Sequence, residues 1–352
     1  MDRHLRNMSL RISLCPFHLQ FKHPFGTAHG VRTGTDCVFV RLEQNDLFGY
    51  GEATMPPYVL ENQISVIAAL NSLDLSAIDL PGGLEELIGR TNKLIIEAPC
   101  ARAALVTAAY DLAGRLLGRP AWELLEQTVP GGAKAMFTLG VCDLKLIPER
   151  LLELPACDVL KLKLNGVQDI RRVEMVNALW NKNLFLDVNQ AWTNQQQAIE
   201  VLSTINDGQL LGIEQPFAKD ELELNNWLQR NGEATVYADE SVQGKADMPE
   251  RSNGFGGVNL KLMKCGGLDQ AMAMANAAVH AGQHVMLGSM SESSLGCTAA
   301  FHLSGSAHLL DLDGPWLIAN DPFVGIGLDN GKHVLKRSAG LGVELVVQLP
   351  FI

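Results

Sequence analysis

The chain has 352 residues, 47% of them apolar, with a formal charge of −11 and a pI of about 5.3. That length accommodates one large domain or two ordinary ones around a sizeable core. So acidic a chain offers no basic footprint for nucleic acid and no attraction to an anionic membrane surface, and neither partner is expected.

Seven cysteines lie scattered at 15, 37, 100, 142, 157, 265 and 297, with no CxxC pair. That placement suits a reducing compartment, so a cytoplasmic location is expected. The basic start Met1–Arg6 is followed by no long apolar core, so it is not read as a leader. No apolar run reaches the roughly 18 residues a membrane span needs.

In chain order, Ser9 to Leu19 alternates as a strand, Asp36–Leu42 as a second and Phe48–Ala53 as a third. His23–Gly30, between the first two, reads as a mobile loop because Pro24, Gly26 and Gly30 interrupt it. Residues 61–126 read as helices, the clearest being Ala101–Leu117, which stops before Gly118 and Pro120. Pro130-Gly131-Gly132 marks a boundary. Beyond it, short apolar runs alternate with helical stretches. The candidate strands are Ala135–Val141, Val159–Leu164, Leu184–Val188, Leu211–Glu214, Val236–Asp239, Gly257–Leu262, His284–Leu287 and His308–Leu310. This pattern favours a closed parallel barrel, with an open doubly wound sheet as the alternative. The tail, 332–352, alternates again and is expected to return to the N-terminal region as strands. The expected fold class is α/β, a modified TIM barrel of the (β/α)7β type with an α+β capping domain. Its expected divisions are 1–130, 131–325 and 326–352.

Lys163, Asp187, Glu214 and Asp239 end successive apolar runs, 24, 27 and 25 residues apart. That is about one strand–helix step of such a barrel, in which all strands end on one face. Three carboxylates meeting there suit a hard divalent cation such as Mg²⁺. A helix N-cap is the alternative for any one of them alone. Lys161 and Lys163, two apart on one strand, face the same side. If interior, they are expected to lower each other's proton affinity, and so to supply a base; a solvated edge strand is the alternative. Lys261 ends the sixth strand, across the barrel from the second. Lys264 falls past the strand and reads as structural or solvated. Asp311 and Asp313 follow the eighth strand, where they either grip an ammonium group or form an ordinary turn. Gly254-Phe-Gly-Gly257 opens no helix and is not a dinucleotide loop.

Together these segments resemble the enolase superfamily, in particular its muconate-lactonizing-enzyme-like subgroup. The resemblance spans nearly the full chain. It is carried by Lys161-Leu-Lys163, Asp187-Val-Asn, Glu214-Gln-Pro, Asp239-Glu and Lys261-Leu-Met-Lys-Cys-Gly-Gly. Ala108-Ala-Tyr-Asp111-Leu, Gly118-Arg-Pro120 and Gly49-Tyr-Gly51-Glu52-Ala add to it. Asp311-Leu-Asp313 resembles the DxD signature of dipeptide epimerases, whose acids hold the substrate's free ammonium.

The resemblance implies Mg²⁺ on Asp187, Glu214 and Asp239, ligating the substrate carboxylate. Lys163 and Lys261 then act as opposed bases in a 1,1-proton transfer through an enediolate. Lys161 assists in stabilising it. Thr138, Ser289, Met290 and Glu292 are expected beside the substrate, and Asn189 and Glu240 behind the metal ligands. Phe25, His29 and Arg32 are expected to read the substrate side chain. Where Glu-selective members carry an arginine in that loop, this chain has Gly30, with His29 and Arg32 close by. L-Ala-L/D-Glu, as in murein peptide salvage, is the leading substrate, and a homo-oligomer is expected. The alternatives are o-succinylbenzoate synthase, N-acylamino acid racemase or muconate cycloisomerase activity. A non-catalytic barrel that binds a small acid is the alternative of another class.

Overall fold

The computed structural model describes residues 9–28, 30–56, 59–248 and 254–352. The N-terminal domain is an antiparallel sheet of β1 (Arg11–Thr27), β2 (Gly30–Gln44) and β3 (Leu47–Met55), backed by helices. The segment His23–Gly30 differs from the expected loop. β1 runs on to Thr27 and pairs with β2 as far as Thr27↔Gly30, with an irregularity between Gln20 and Phe25. Proline is tolerated at such a bulge because no ladder hydrogen bond is required there. The tip is anchored on the barrel, since Val141 N donates to Gly26 O at 2.9 Å. His29 lies outside the described residues.

Helix Pro99–Leu117 packs across β3, almost wholly buried along its length. Gly118, with φ +66°, ends it where the sequence indicated, while Pro99 starts it two residues before the expected Ala101. Gly49 and Gly51 allow the close approach, because a Cβ on either would run into the carbonyl oxygen of Ala108 or Ala104. Gly51→Ala is therefore expected to destabilise the fold by about 2 kcal/mol or more, measured by urea denaturation. Asp111 on the same helix is fully buried and ties three parts of the chain together. It accepts from Tyr50 N (2.9 Å), Leu341 N (2.7 Å) and Arg115 Nε (3.0 Å).

The eight strands that follow close into a parallel barrel. They are β4 (Lys134–Leu139), β5 (Val159–Lys163), β6 (Asn183–Asp187), β7 (Leu210–Glu214), β8 (Thr235–Ala238), β9 (Gly257–Lys261), β10 (His284–Gly288) and β11 (Leu309–Asp311). Each falls within a residue or two of its expected position. Met136, Val159, Phe185, Tyr237, Met286 and Leu309 fill the interior, so the barrel is a packed core rather than a pore. Arg102, fully buried, joins the N-terminal helix to barrel helix Leu268–His280 through Asp269, at 2.8 Å.

The tail differs in part from expectation. Lys332–Val334 pairs with Gly327–Asp329, and Glu344–Leu345 with Phe323–Val324, so neither joins the N-terminal sheet. Only the last residue does, with Ile352 and Leu14 exchanging two backbone hydrogen bonds of 2.9 Å. Val343 and the neighbouring apolar residues pack as irregular chain, because alternation alone does not choose the partner edge. Among the described residues, no helix is long and apolar enough to cross a membrane.

Candidate active site

Parallel register brings the charged strand ends together. Lys163 lies opposite Asp187, and Asp187 opposite Glu214. On the other side, Lys261 lies opposite Gly288 and Gly288 opposite Asp311. β5 and β9 are four strands apart in the ring, so Lys163 and Lys261 face each other across the mouth. A cavity of about 460 Å³ opens there, lined among others by Lys163, Lys261, Asp239, Asp311 and Asp313.

Beneath its floor sits a dense ionic network. Lys161, 1% exposed, places Nζ 2.9 Å from Asp187 Oδ2, 2.6 Å from Glu214 Oε2 and 2.6 Å from Asp311 Oδ2. Lys163 Nζ donates to Asp187 Oδ2 at 2.6 Å and to Asn189 Oδ1 at 3.3 Å. Lys261 donates to Asp239 Oδ2 at 2.8 Å, and Lys264 to Asp239 Oδ1 at 2.5 Å. Lys264 also donates to the carbonyls of Asp239, Val242 and Asn259, so it is a buried brace rather than a solvated residue.

These contacts set the proton affinities. Burial alone would lower that of Lys161, but Asp187, Asp311 and Glu214 hold it well above the ordinary lysine value. The sequence-based expectation of a depressed lysine is corrected here, because Lys161 faces three carboxylates more closely than it faces another ammonium group. Burial raises Asp187 too, yet Lys161 and Lys163 bring it well below the usual carboxylate range. Lys261 and Lys264 do the same for Asp239 against its burial. Glu214 goes the other way, pushed to about 8 by burial and by the charges of Asp187 and Asp239. Burial and the neighbouring Asp311 raise Asp313 to about 6, although Thr138 N donates to it at 2.7 Å.

Among the described residues, no three acidic, histidine or cysteine side chains are already gathered as a metal cage; lysine ammonium groups stand among the carboxylates. The donor set nevertheless fits a hard cation. Asp187, Glu214 and Asp239 end or follow three adjacent strands, and Glu214 Oε2 is buried without a hydrogen bond despite its approach to Lys161.

The other expected residues divide. Thr138, Phe25, Arg32, Ser289, Met290, Asn189 and Glu240 line the mouth cavity. Asn189 Nδ2 donates to Glu240 Oε1 at 3.4 Å. Glu292 does not line it. It is fully buried, its Oε1 accepts from Met290 N at 3.0 Å, and burial pushes its pKa to about 8. The 289–292 turn folds the side chain inward, away from the cavity.

Three features were missed. Glu52, within β3, reaches across to the barrel and accepts from Ser293 N (3.0 Å) and Gly296 N (3.1 Å), fixing the turn after β10. Gln215 accepts from Asp239 N and Ser241 N, both at 3.0 Å, and so holds the turn after β8. Asn189, Gln190, Gln215 and Ser291 all have positive φ, concentrating backbone strain around the mouth. The first signal was a glutamate after Gly-Tyr-Gly; the strain left none.

The fold thus joins a closed parallel barrel, with lysines facing each other and carboxylates at its strand ends, to an antiparallel N-terminal domain. Residues 149–348 match the enolase C-terminal domain-like family, and 11–126 the mandelate racemase / muconate lactonizing enzyme N-terminal domain. The chain belongs to the enolase superfamily. It is 33% identical to the L-Ala-D/L-Glu epimerase of Bacteroides thetaiotaomicron over 95% of this chain and 88% of that protein. It is 26% identical to the N-succinyl-L-Arg/Lys racemase of Bacillus cereus, over 95% of this chain and 94% of that one. A crystal structure of a dipeptide epimerase from Enterococcus faecalis, complexed with Mg and L-Leu-L-Tyr, superposes with a TM-score of 0.85 at 27% identity. The match covers 96% of this chain and 99% of that one. These relatives are epimerases and racemases, so the enzyme class they share with this chain is isomerase.

Proposed function

We propose that this enzyme inverts the α-carbon of the C-terminal residue of a dipeptide by passing a proton between Lys163 and Lys261. The observation that carries the dipeptide reading is the position of Asp313. It is a buried carboxylate at the lip of the cavity that holds both lysines, where Thr138 N donates to it and, among the described residues, no lysine forms an ion pair with it. An incoming ammonium group satisfies it.

Asp187, Glu214 and Asp239 would hold Mg²⁺, which when bound neutralises the substrate carboxylate and the charge that grows on it as the α-proton leaves. The chain's own residues do the rest. Asp313 orients the ammonium end, which fixes the reacting carbon between the lysines. One lysine accepts the α-proton and the other donates from the opposite face, which inverts the centre. Lys161, kept charged by its carboxylates, supplies a fixed positive charge on the floor. Arg32 lines the cavity, with its guanidinium 5.4 Å over the Phe21 ring, and offers a partner for an acidic C-terminal side chain such as that of L-Ala-L-Glu.

The test is a dipeptide library incubated with enzyme and Mg²⁺ in D₂O. A gain of one mass unit, with inversion, is expected in free dipeptides and not in their N-acetylated forms. Exchange confined to N-acyl amino acids would instead favour the second reading, racemisation of an N-acylated amino acid. That reading has one observation behind it, since Asp311 is already paired with Lys161. Absence of exchange in every substrate would favour a barrel that only binds small acids. Removing divalent metal with EDTA is expected to lower exchange at least about 100-fold, with recovery on adding Mg²⁺.

A further inference from the structure

The mouth cavity is not closed at its acidic end. A second cavity of about 280 Å³ continues from it, and Thr138, Asp313, Phe25 and Leu317 line both. It runs outward between the β1–β2 hairpin and helix Ile147–Glu153. Its inner walls are largely apolar, with aromatic rings among them. Phe21 meets Phe25 edge-on at 6.0 Å, and Phe137 meets Trp316 edge-on at 5.1 Å, with Leu154 also lining it.

The outer end is charged, with Lys22, His23, Arg150 and Glu153 lining it and the last three paired with one another. His23 Nε2 lies 2.8 Å from Glu153 Oε2, and Arg150 Nη1 donates to Glu153 at 2.9 Å and lies 2.8 Å from His23 Nε2. That trio closes the cavity between hairpin and helix without requiring a charge from a ligand.

From this geometry we propose that the second cavity receives the side chain of the substrate's N-terminal residue, and that the enzyme prefers a bulky apolar or aromatic residue there. The inference rests on the dipeptide reading above. An ammonium group held at Asp313 is one bond from the N-terminal α-carbon, and that carbon carries the side chain. The remainder of the dipeptide must point back to the lysines, so the side chain is left facing the other cavity. An alanine methyl leaves most of that volume unfilled, whereas a leucine or phenylalanine side chain removes apolar surface from water against Phe25, Trp316 and Leu154.

The test uses the full-length enzyme with Mg²⁺ and dipeptides that differ only at the first residue, keeping whichever C-terminal residue exchanges fastest. Phe and Leu at the first position are expected to give kcat/KM at least tenfold above Ala. Leu154→Trp, which fills the cavity, is expected to reduce the Phe-to-Ala ratio at least fivefold. An Ala preference in the unaltered enzyme overturns the proposal even if the variant fails to fold, and so does an unchanged ratio in a folded variant. Either result leaves the dipeptide reading standing. Exchange in N-acyl amino acids but in no free dipeptide overturns both.

Discussion

Lys261→Met is expected to abolish inversion, with a fall in kcat of about 10³-fold, while exchange of the α-proton persists for one stereoisomer only. Lys163 and Lys261 approach from β5 and β9, on opposite sides of the ring. Whichever lysine remains can still remove the proton facing it and return a solvent deuteron to the same face. It cannot reach the other face. Lys163→Met is therefore expected to give the mirror result, with exchange retained in the opposite isomer. The pair of variants read by D₂O exchange and chiral chromatography decides the mechanism. If either variant loses exchange in both isomers while still binding Mg²⁺, a single-base mechanism replaces this one.

Neither substitution strands a buried charge, so folding is expected to survive. Without Lys261, Asp239 keeps its 2.5 Å contact with Lys264. Without Lys163, Asp187 keeps Lys161 at 2.9 Å. Removing Lys161 is different in kind. It would leave Asp187, Glu214 and Asp311 facing one another, so loss of activity there would report the whole floor rather than one step.

The barrel was legible because its period is coarse and regular: eight short apolar runs, each stopped by a turn, and polar residues at the stops. Lys163, Asp187 and Glu214 could be placed on one face because a parallel ladder aligns strand ends whatever the loops do. The braces were not legible. Lys264 lies three residues beyond Lys261, past the end of β9, and nothing local says that it turns back under Asp239. Glu52 is more than two hundred residues from Ser293, so its hold on the turn after β10 belongs to the packing of the N-terminal sheet on the barrel. Glu292 illustrates the reverse: a charged residue in a substrate-facing segment whose side chain the turn directs inward. The hairpin tip was obscured by Pro24 and its glycines, residues that mark loops on average but here bend a strand onto the barrel rim. Proton affinity was the hardest to read, because the sign at Lys161 depends on which of several nearby charges lies closest.

Asp313→Asn is expected to lower kcat/KM on free dipeptides by about 10²-fold and to leave Mg²⁺ binding nearly unchanged. A buried charged hydrogen bond lost on one side costs about 2–5 kcal/mol, and each 1.4 kcal/mol is tenfold. The substitution keeps an acceptor for Thr138 N, so the local turn is preserved while the charge is removed. A pH profile gives a second, independent reading. Burial and Asp311 raise Asp313 to about 6 in the free enzyme. Below that pH the group is protonated and attracts an ammonium ion poorly; above it, the carboxylate is present. The profile of kcat/KM on free dipeptides is therefore expected to rise through about pH 6, and this limb is expected to vanish in Asp313→Asn. If the limb is retained in the variant, another group titrates there and Asp313 does not hold the ammonium. N-acetylated dipeptides add the final contrast. They carry no ammonium, so they are expected to show no exchange with either the unaltered enzyme or the variant, since the interaction the substitution removes is never formed.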